Sequence, residues 1–407
     1  SPNNKQMVSR AALSGETLNV ADAYDSSDFD FSGTKKFDQG TGYRTTSVLT
    51  VPMKNRHDEV IGVLQLLNAL DLETGEVTDF SEEIQPVIEA LASQAAVALD
   101  NALLIDAQEK LLESFIVLLA RAVDAKSPYT GGHCERVPEL TEMLAAAVCE
   151  TETGPFADFN MTKAEWYELH IGAWLHDCGK VTTPEYVVDK STKLETITDR
   201  IHEIRMRFEV AKREAVIVCQ EKIIADHGEA ESLRKELDIT LQRLDDDFYF
   251  IAECNLGGEY MADEIVDRVK RIGGQTWSRT IDDRVGIAND ELRRKEREVA
   301  RELPSVEPLL SDRIDHLIEH DVVTHSADHK NPYGFRFDVP EHKYNLGEIY
   351  NLCISRGTLT EEERFKINDH IVQTIVMLES LPFPKHLERV PEIAGGHHEK
   401  MDGTGYP

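Results

Sequence analysis

One stretch of the sequence constrains the fold more than any other, because it can form only helix. Between Ser81 and Pro128 the chain contains no glycine, and its only proline is Pro86, which lies in the first turns. Apolar residues recur there in alternating steps of three and four, as in a coiled-coil seam with one polar break: Ile88, Leu91, Ala95, Ala98, Ala102, Ile105, Glu109, Leu112, Ile116, Leu119 and Val123. We expect one long helix that joins two domains and pairs in a homodimer. The alternative is two helices, each packed on its own domain.

Composition limits both the domain count and the class of partner. With 407 residues, 41% of them hydrophobic, the chain can form two or three domains, because single cores seldom grow beyond roughly 250–300 residues. Seventy-five acidic and 44 basic residues give a net charge of −31, which argues against binding a nucleic-acid polymer or an anionic membrane. Six cysteines without a CxxC pair indicate reduced thiols in a cytoplasmic protein. No apolar run reaches the ~18 residues of a membrane span. Because the chain opens on Ser1, we expect further sequence before it.

The first hundred residues predict a mixed module of sheet and helix. Residues 45–53 and 59–69 are β-rich and flank a short polar turn, so we expect a hairpin whose second strand is buried on both faces. Ser81 is a candidate N-cap for the helix that follows. The phrases LNVADAY, FDQGTGYRTTSVLTVPM, EVIGVLQLLNA and LASQAAVALDNALL resemble a GAF domain over roughly residues 11–105, without its opening strands. The resemblance implies a partial α+β GAF sensor at residues 1–100 with an unknown ligand; a purely structural or dimerising domain is the alternative.

The remainder predicts an all-α domain with an interruption. Residues 163–178 form an amphipathic helix stopped by Gly179, and residues 360–379 form another that opens with a capping box at Thr360. Between them, residues 195–345 contain two further apolar runs with helical spacing, which predict an inserted helical hairpin. This insertion is interpreted as a regulatory or dimer-forming arm, with an inert elaboration as the alternative.

Histidines and one aspartate supply the ligand types that two divalent metals require. Hydrolysis of a phosphodiester at neutral pH needs an activated water and positive charge near the phosphoryl oxygens, and two metals roughly 3.5–4 Å apart provide both. Imidazole nitrogen and carboxylate oxygen are suitable ligands. The candidates, each of which has a duller explanation when taken alone, are His133, His176, Asp177, His370, His397 and His398.

The phrases around these residues carry a resemblance. PYTGGHCERV, LHDCGK and HHEKMDGTGYP, in that order, resemble the HD-GYP phosphodiesterases, a branch of the HD metal-hydrolase superfamily that opens cyclic di-GMP. The resemblance implies that the six candidates bind two metals, Fe or Mn, with Asp177 as the bridging carboxylate. Lys180 would hold a phosphate oxygen. The residues of the signature turn would contact the substrate; they are Asp402, Gly403, Gly405, Tyr406 and Pro407. Members that hold a third metal carry a glutamate where this chain has Tyr129, so we expect two.

Three departures from the family pattern concern metal binding, the phosphate-contacting loop and the geometry at His133. A further metal-binding aspartate of the family would follow Pro407, so we expect this chain to bind its second metal weakly and to be inactive unless extended. The phosphate-contacting KPGKLT-type loop has two partial counterparts, at residues 189–196 and 355–362, and the sequence does not decide between them. Pro138 falls within the helix that His133 opens, where a kink would alter the geometry.

Two other features receive non-catalytic interpretations. His316, His320, His325 and His329 have irregular spacing in polar surroundings, and we expect them to be exposed and not to bind metal. Cys178 is interpreted as a packing residue, because a metal-activated water makes a thiol nucleophile unnecessary.

Together these observations predict a cytoplasmic signalling enzyme that hydrolyses a second messenger. It would comprise a partial GAF domain (1–100), a connecting helix (101–124) and an HD-GYP domain in two parts (125–194 and 346–407) separated by the helical insertion (195–345). The expected reaction is metal-dependent hydrolysis of cyclic di-GMP to pGpG, with GMP as a further product. The alternatives are a non-catalytic cyclic-dinucleotide receptor and an HD hydrolase for another phosphorylated nucleotide.

Overall fold

The computed structural model describes residues 5–126, 132–225, 230–321, 335 and 338–405. The chain divides into two compact units, Ser1–Ser114 and Phe115–Pro407. The first is a mixed unit of sheet and helix and the second is predominantly helical with a helical insertion, so the predicted fold class is confirmed.

The first unit is built around an antiparallel sheet with the order β1–β2–β3. Its strands are β1 (Leu18–Val20), β2 (Val48–Lys54) and β3 (Val60–Leu67), accompanied by helices α1 (Met7–Ser14) and α2 (Ser32–Thr41) and by a two-stranded ladder of β4 (Ala69–Leu70) and β5 (Val77–Thr78). The hairpin is confirmed, but the expected burial of its second strand is wrong. The strand β2 is the buried one, because it lies between β1 and β3, and its Leu49 and Val51 pack near Ala92.

A single helix of 40 residues, α3 (Gln85–Asp124), follows the sheet. This confirms the long helix and contradicts the two-helix alternative. The helix begins four residues after Ser81, whose carbonyl accepts a hydrogen bond from the Gln85 amide. The predicted seam is only partly available for pairing, because Ile116 and Val123 are buried, whereas residues 101–112 are all exposed.

The sequence analysis predicted no membrane-spanning segment, but α3 is long and apolar enough to be a candidate. By length and composition alone it could cross a bilayer, with a mean hydropathy of 1.4 in its most apolar window, of which 11% is buried. The absence of a membrane segment therefore stays a prediction.

The second unit is predominantly helical. Its described helices are α4 (His133–Cys149), α5 (Lys163–Leu175), α6 (Glu185–Val188), α7 (Ile201–Ala225), α8 (Ala230–Asn255), α9 (Asp263–Gly273), α10 (Asn289–Lys295), α11 (Glu348–Leu352), α12 (Glu361–Asn368), α13 (His370–Glu379) and α14 (Val390–Gly395). The helix expected at 163–178 ends at Leu175, before a 3₁₀ turn (Cys178–Thr182). The helix expected at 360–379 is two helices that meet at Asp369, although the Thr360 capping box is present.

The predicted helical hairpin is formed by α7 and α8. Three pairs show that the helices run antiparallel: Phe208 with Phe248, Lys212 with Asp245, and the Cys219 thiol with the Leu233 carbonyl. The insertion is not purely helical, since β6 (Thr276–Arg279) pairs with β7 (Ser305–Pro308), and β8 (Leu317–Ile318) pairs with β9 (Tyr344–Asn345). These short strands have too few residues to show an alternating pattern. The limits of the insertion stay a prediction.

The two stretches that flank the insertion are in contact. The Lys193 ammonium, on the first, donates to the carbonyls of Leu352 and Ile354, on the second, at 2.9 Å each. The Thr358 hydroxyl also donates to the Lys190 carbonyl. The insertion therefore begins and ends at neighbouring positions in the second unit.

Candidate metal centre

The carboxylate of Asp177 lies at the centre of the site. It follows the end of α5 and is only 2% exposed. Its Oδ2 atom lies 3.1 Å from His176 Nε2 and 3.3 Å from His133 Nε2, whereas Oδ1 lies 3.4 Å from His370 Nε2 and 3.6 Å from His397 Nε2. Each carboxylate oxygen therefore faces its own pair of imidazoles.

Two groups of possible ligand atoms surround this carboxylate. One comprises His133, His176 and Asp177, and the other comprises His370, His397 and His398. His370 opens α13, and His397 and His398 end the 3₁₀ turn after α14. The structure thus brings together all six predicted ligands from four separate elements. Their role as ligands stays a prediction.

The imidazole rings are oriented by the backbone. His176, His370 and His397 each place Nδ1 within 2.5–2.7 Å of the carbonyl three residues earlier. A carbonyl can only accept, so Nδ1 carries the proton and the Nε2 lone pair is directed towards the centre. This is the usual arrangement of a metal-binding histidine, whose other nitrogen is held by a hydrogen bond.

Contacts between imidazole nitrogens indicate what the centre can hold. His176 Nε2 lies 3.4 Å from His133 Nε2, and His370 Nε2 lies 3.4 Å from His397 Nε2 and 3.2 Å from His398 Nε2. In the pair His370–His397 both Nε2 atoms carry lone pairs, and two lone pairs at this separation repel each other unless a cation lies between them. The donor set, five imidazoles and one carboxylate, therefore fits divalent transition-metal ions.

The electrostatics keep the site in a metal-binding form. Burial lowers the pKa of His133 and His398, and it lowers the pKa of His397 to about 4, so these rings are neutral at neutral pH. Burial would raise the pKa of Asp177, but the neighbouring His176 and His370 side chains and the charge of Lys180 outweigh it and lower the pKa well below the usual range. The carboxylate is therefore ionised.

Lys180 belongs to the same site. Its ammonium lies 2.6 Å from Asp177 Oδ2 and its side chain is partly exposed. The cation is therefore at the centre, as the predicted phosphate contact requires, but here it pairs with the carboxylate.

The signature turn is ordered by its own contacts. The Asp402 carboxylate accepts from the Thr404 amide and hydroxyl, Gly403 has a positive φ of 72°, and the Gly405 amide donates to Glu399. A side chain at Gly405 would meet the Glu399 backbone at 2.5 Å, so only glycine fits there. Tyr406 and Pro407 lie outside the described residues, as does Tyr129, so their predicted roles are not tested.

Neither counterpart of the phosphate-contacting loop offers a free lysine. The Lys190 ammonium is buried and lies 2.8 Å from both Glu363 carboxylate oxygens, and the Lys193 ammonium binds two backbone carbonyls. In the second counterpart, Thr360 caps α12. In this structure the two counterparts serve to join the ends of the insertion.

The remaining histidine cluster is only partly as expected. His316 is half-buried rather than exposed, and burial lowers its pKa to about 4, whereas His320 contacts the Pro340 carbonyl. His325 and His329 lie outside the described residues.

Cys178 packs beside a buried cluster, and burial raises its thiol pKa to about 11, which is consistent with packing.

Thr374 is a positioning residue that the sequence did not reveal. Its fully buried hydroxyl donates to the His176 carbonyl and accepts from the Gly179 amide, so it joins α13 to the end of α5. Its position four residues after His370, on the same helical face, was the available signal.

Comparison with protein families finds one match in each unit. Residues 1–99 match the GAF domain and residues 304–407 match the HD domain. The HD match contains His370, His397 and His398 but not the earlier ligand group. The chain therefore contains a GAF domain followed by an HD domain.

Curated relatives are cyclic-nucleotide phosphodiesterases by name. The chain is 34% identical over 109 residues to the dual 3',5'-cyclic-AMP and -GMP phosphodiesterase 11A of Takifugu rubripes, and 32% identical over 118 residues to the 3'3'-cGAMP-specific phosphodiesterase 3 of Vibrio cholerae. The dual phosphodiesterase 11 of Drosophila melanogaster is 32% identical over 113 residues. These matches cover 27%, 29% and 28% of this chain, and 11%, 21% and 7% of the respective relatives.

Proposed function

We propose that this protein is a metal-dependent phosphodiesterase of the HD-GYP type that opens cyclic di-GMP to linear pGpG. The observation that carries the proposal is the Asp177 carboxylate, which presents one oxygen to each of two imidazole groups. A carboxylate placed in this way can bridge two divalent ions, iron or manganese by the chemistry of the ligands. When bound, such a pair supplies an activated water and neutralises charge on the phosphoryl oxygens.

The side chains of the chain itself account for binding and orientation. Neutral imidazoles held by backbone carbonyls provide a preformed site, so little conformational entropy is lost when ions bind. Asp177 would be among the residues that hold the ions, and the Lys180 ammonium beside it would hold a non-bridging phosphate oxygen as a point charge. The signature turn, including Asp402 and Gly403, is proposed to contact the rest of the nucleotide.

The identity of the nucleotide has two candidates. The sequence motifs favour cyclic di-GMP, whereas the named specificity of the Vibrio relative favours 3'3'-cGAMP. Both present the same phosphodiester to the centre, which reads phosphate rather than base. A cyclic nucleotide is likewise proposed as the ligand of the GAF domain, by analogy with these relatives.

Pairing of α3 with a second copy completes the proposal. Val97, Leu104 and Leu111, each one residue before a member of the seam predicted from the sequence, recur every seven residues and are 54%, 48% and 57% exposed. Asn101 and Gln108 lie between them in the same stripe and are also exposed. Amide side chains can hydrogen-bond to their own copies, and a polar residue at such positions favours a parallel, in-register dimer. Light scattering at micromolar concentration should give twice the chain mass; a monomer contradicts the pairing.

The test of activity uses chromatography of nucleotides incubated with the manganese-loaded or iron-loaded protein, extended past Pro407 to include the further metal-binding aspartate expected there. Cyclic di-GMP and 3'3'-cGAMP are offered separately to the unmutated protein, to Asp177→Ala, and to Asp238→Ala as a control at an exposed aspartate of α8. We expect linear product from the unmutated protein and the control, and none from Asp177→Ala. Intact nucleotide in all samples despite two bound metals per chain would favour the receptor alternative.

A further inference from the structure

The first turn of α4 lacks a cap of its own. The residue before it, Gly132, has no side chain and adopts a left-handed conformation with φ of 72°, and no local side chain caps the helix. The missing acceptor comes from α3, where the buried Asp124 carboxylate lies 3.1 and 3.4 Å from the Cys134 amide nitrogen. A carboxylate at a helix N-terminus satisfies a free N–H group and complements the helix dipole. Asp124 therefore fixes the turn that begins with His133.

The C-terminal end of the 3₁₀ turn Cys178–Thr182 is held by the ammonium group of Lys126. Two residues after Asp124, the Lys126 ammonium lies 2.7 Å from the Val181 carbonyl, 2.8 Å from that of Thr183 and 3.3 Å from that of Lys180. An ammonium has three N–H donors, and three carbonyls receive them here. A positive charge at these terminal carbonyls is favourable for the same electrostatic reason. Lys126 therefore fixes the turn that carries Lys180.

The contacts of Asp124 and Lys126 each hold the backbone next to a different part of the metal centre. Asp124 acts through the backbone beside His133, and Lys126 acts through the backbone beside Asp177 and Lys180. Asp124 is the last residue of α3, and Lys126 lies two residues further on, where its amide still donates a hydrogen bond to the Val123 carbonyl. A small rotation of this end of α3 would therefore displace a ligand and the site cation together.

We propose that Asp124 and Lys126 are positioning residues through which the end of α3 sets the geometry, and hence the metal affinity, of the centre. The inference rests on the proposed metal-dependent function but concerns residues that bind neither metal nor nucleotide. Hydrogen-bonding residues behind metal ligands typically alter metal affinity or activity by about 10–100-fold when removed.

The experiment measures two quantities that do not require turnover. Amide hydrogen exchange of the metal-free protein is followed in peptides covering residues 178–183, and Mn²⁺ affinity is measured by isothermal titration calorimetry. The variants are Lys126→Ala, Lys126→Arg and Asp124→Ala, with Lys222→Ala as a control at an exposed lysine of α7. Thermal unfolding of each variant establishes that it is folded.

We expect Lys126→Ala to speed exchange at residues 178–183 by roughly tenfold and to weaken Mn²⁺ binding by about 10–100-fold. Lys126→Arg, which keeps a donor cation, should restore both in large part, and Lys222→Ala should change neither. Folded Lys126→Ala or Asp124→Ala with unchanged Mn²⁺ affinity would overturn the proposal. If Lys126→Ala does not fold, Asp124→Ala decides: a weakened Mn²⁺ affinity with a preserved unfolding temperature supports positioning, and an unchanged affinity overturns it. Absence of turnover in the unmutated protein would refute the proposed activity without affecting these results.

Discussion

The Gly179→Ala substitution tests the contact between the 3₁₀ turn and α13, on which the alignment of the two ligand groups depends. A Cβ atom at Gly179 would lie 2.0 Å from the His370 carbonyl oxygen and 2.5 Å from the Thr374 amide nitrogen. Because both are backbone atoms, the turn and the helix must separate. Overpacking of this kind costs about 1–3 kcal/mol or more, and loss of the bond from the Gly179 amide to Thr374 adds about 1 kcal/mol. We expect the free energy of unfolding of the second unit to fall by about 3–4 kcal/mol.

Thermal unfolding of the metal-free protein gives the measurement. At about 2–4 °C per kcal/mol for a large domain, the transition of the second unit should move down by roughly 6–16 °C. Gly274→Ala is the matched control, because its nearest atoms are 3.6 Å away and its φ of −73° suits alanine; it should change stability by less than about 1 kcal/mol. Gly179→Ala should also weaken Mn²⁺ binding. Equal unfolding temperatures for the two variants would refute the close packing of the turn against α13.

Three further predictions concern other parts of the second unit. Lys190→Met should cost about 3–5 kcal/mol, because it leaves the buried Glu363 carboxylate without its partner, and adding Glu363→Gln should recover most of the loss in urea unfolding. His316 has a folded-state pKa of about 4, below about 6.5 when unfolded, so the unfolded chain binds more protons between these values. Stability should therefore fall by up to about 3 kcal/mol as pH drops from 6.5 to 4, and a His316→Asn variant that keeps this dependence would contradict the assignment. Thr374→Val should lose about 1–3 kcal/mol by leaving the His176 and Gly179 backbone groups unpaired, whereas Thr374→Ser should remain near the unmutated value.

The long helix and the assembly of the metal centre were predictable from sequence for clear reasons. The run between Ser81 and Pro128 has no glycine and no proline after Pro86, which leaves few conformations other than helix. The ligand residues occur in phrases whose order and spacing resemble one family closely, so their convergence followed from the resemblance. Local capping signals were equally informative, since the box at Thr360 is present as expected.

The errors arose where tertiary contacts decide the outcome. The sequence could not show which strand lies in the middle of the sheet, because β2 and β3 are similarly apolar and only the position of β1 distinguishes them. It could not show that Lys190 and Lys193 are buried against the returning chain, since their partners lie some 160 residues away. The roles of Lys126 and Thr374 were hidden for the same reason, since the backbone groups that they contact lie 55 and 198 residues away.

The contact between Lys193 and the carbonyls of Leu352 and Ile354 bears on how such a chain could have arisen. The residues between these points have a hydrophobic core largely of their own, which includes Ile204, Phe208 and Leu309. A segment that is internally packed and has adjoining ends can be acquired or lost in one genetic event, because the host must close only a short gap. The rest of the helical unit could thus have existed before the insertion, and the proposed metal ligands on either side would have kept their relative positions when it was added.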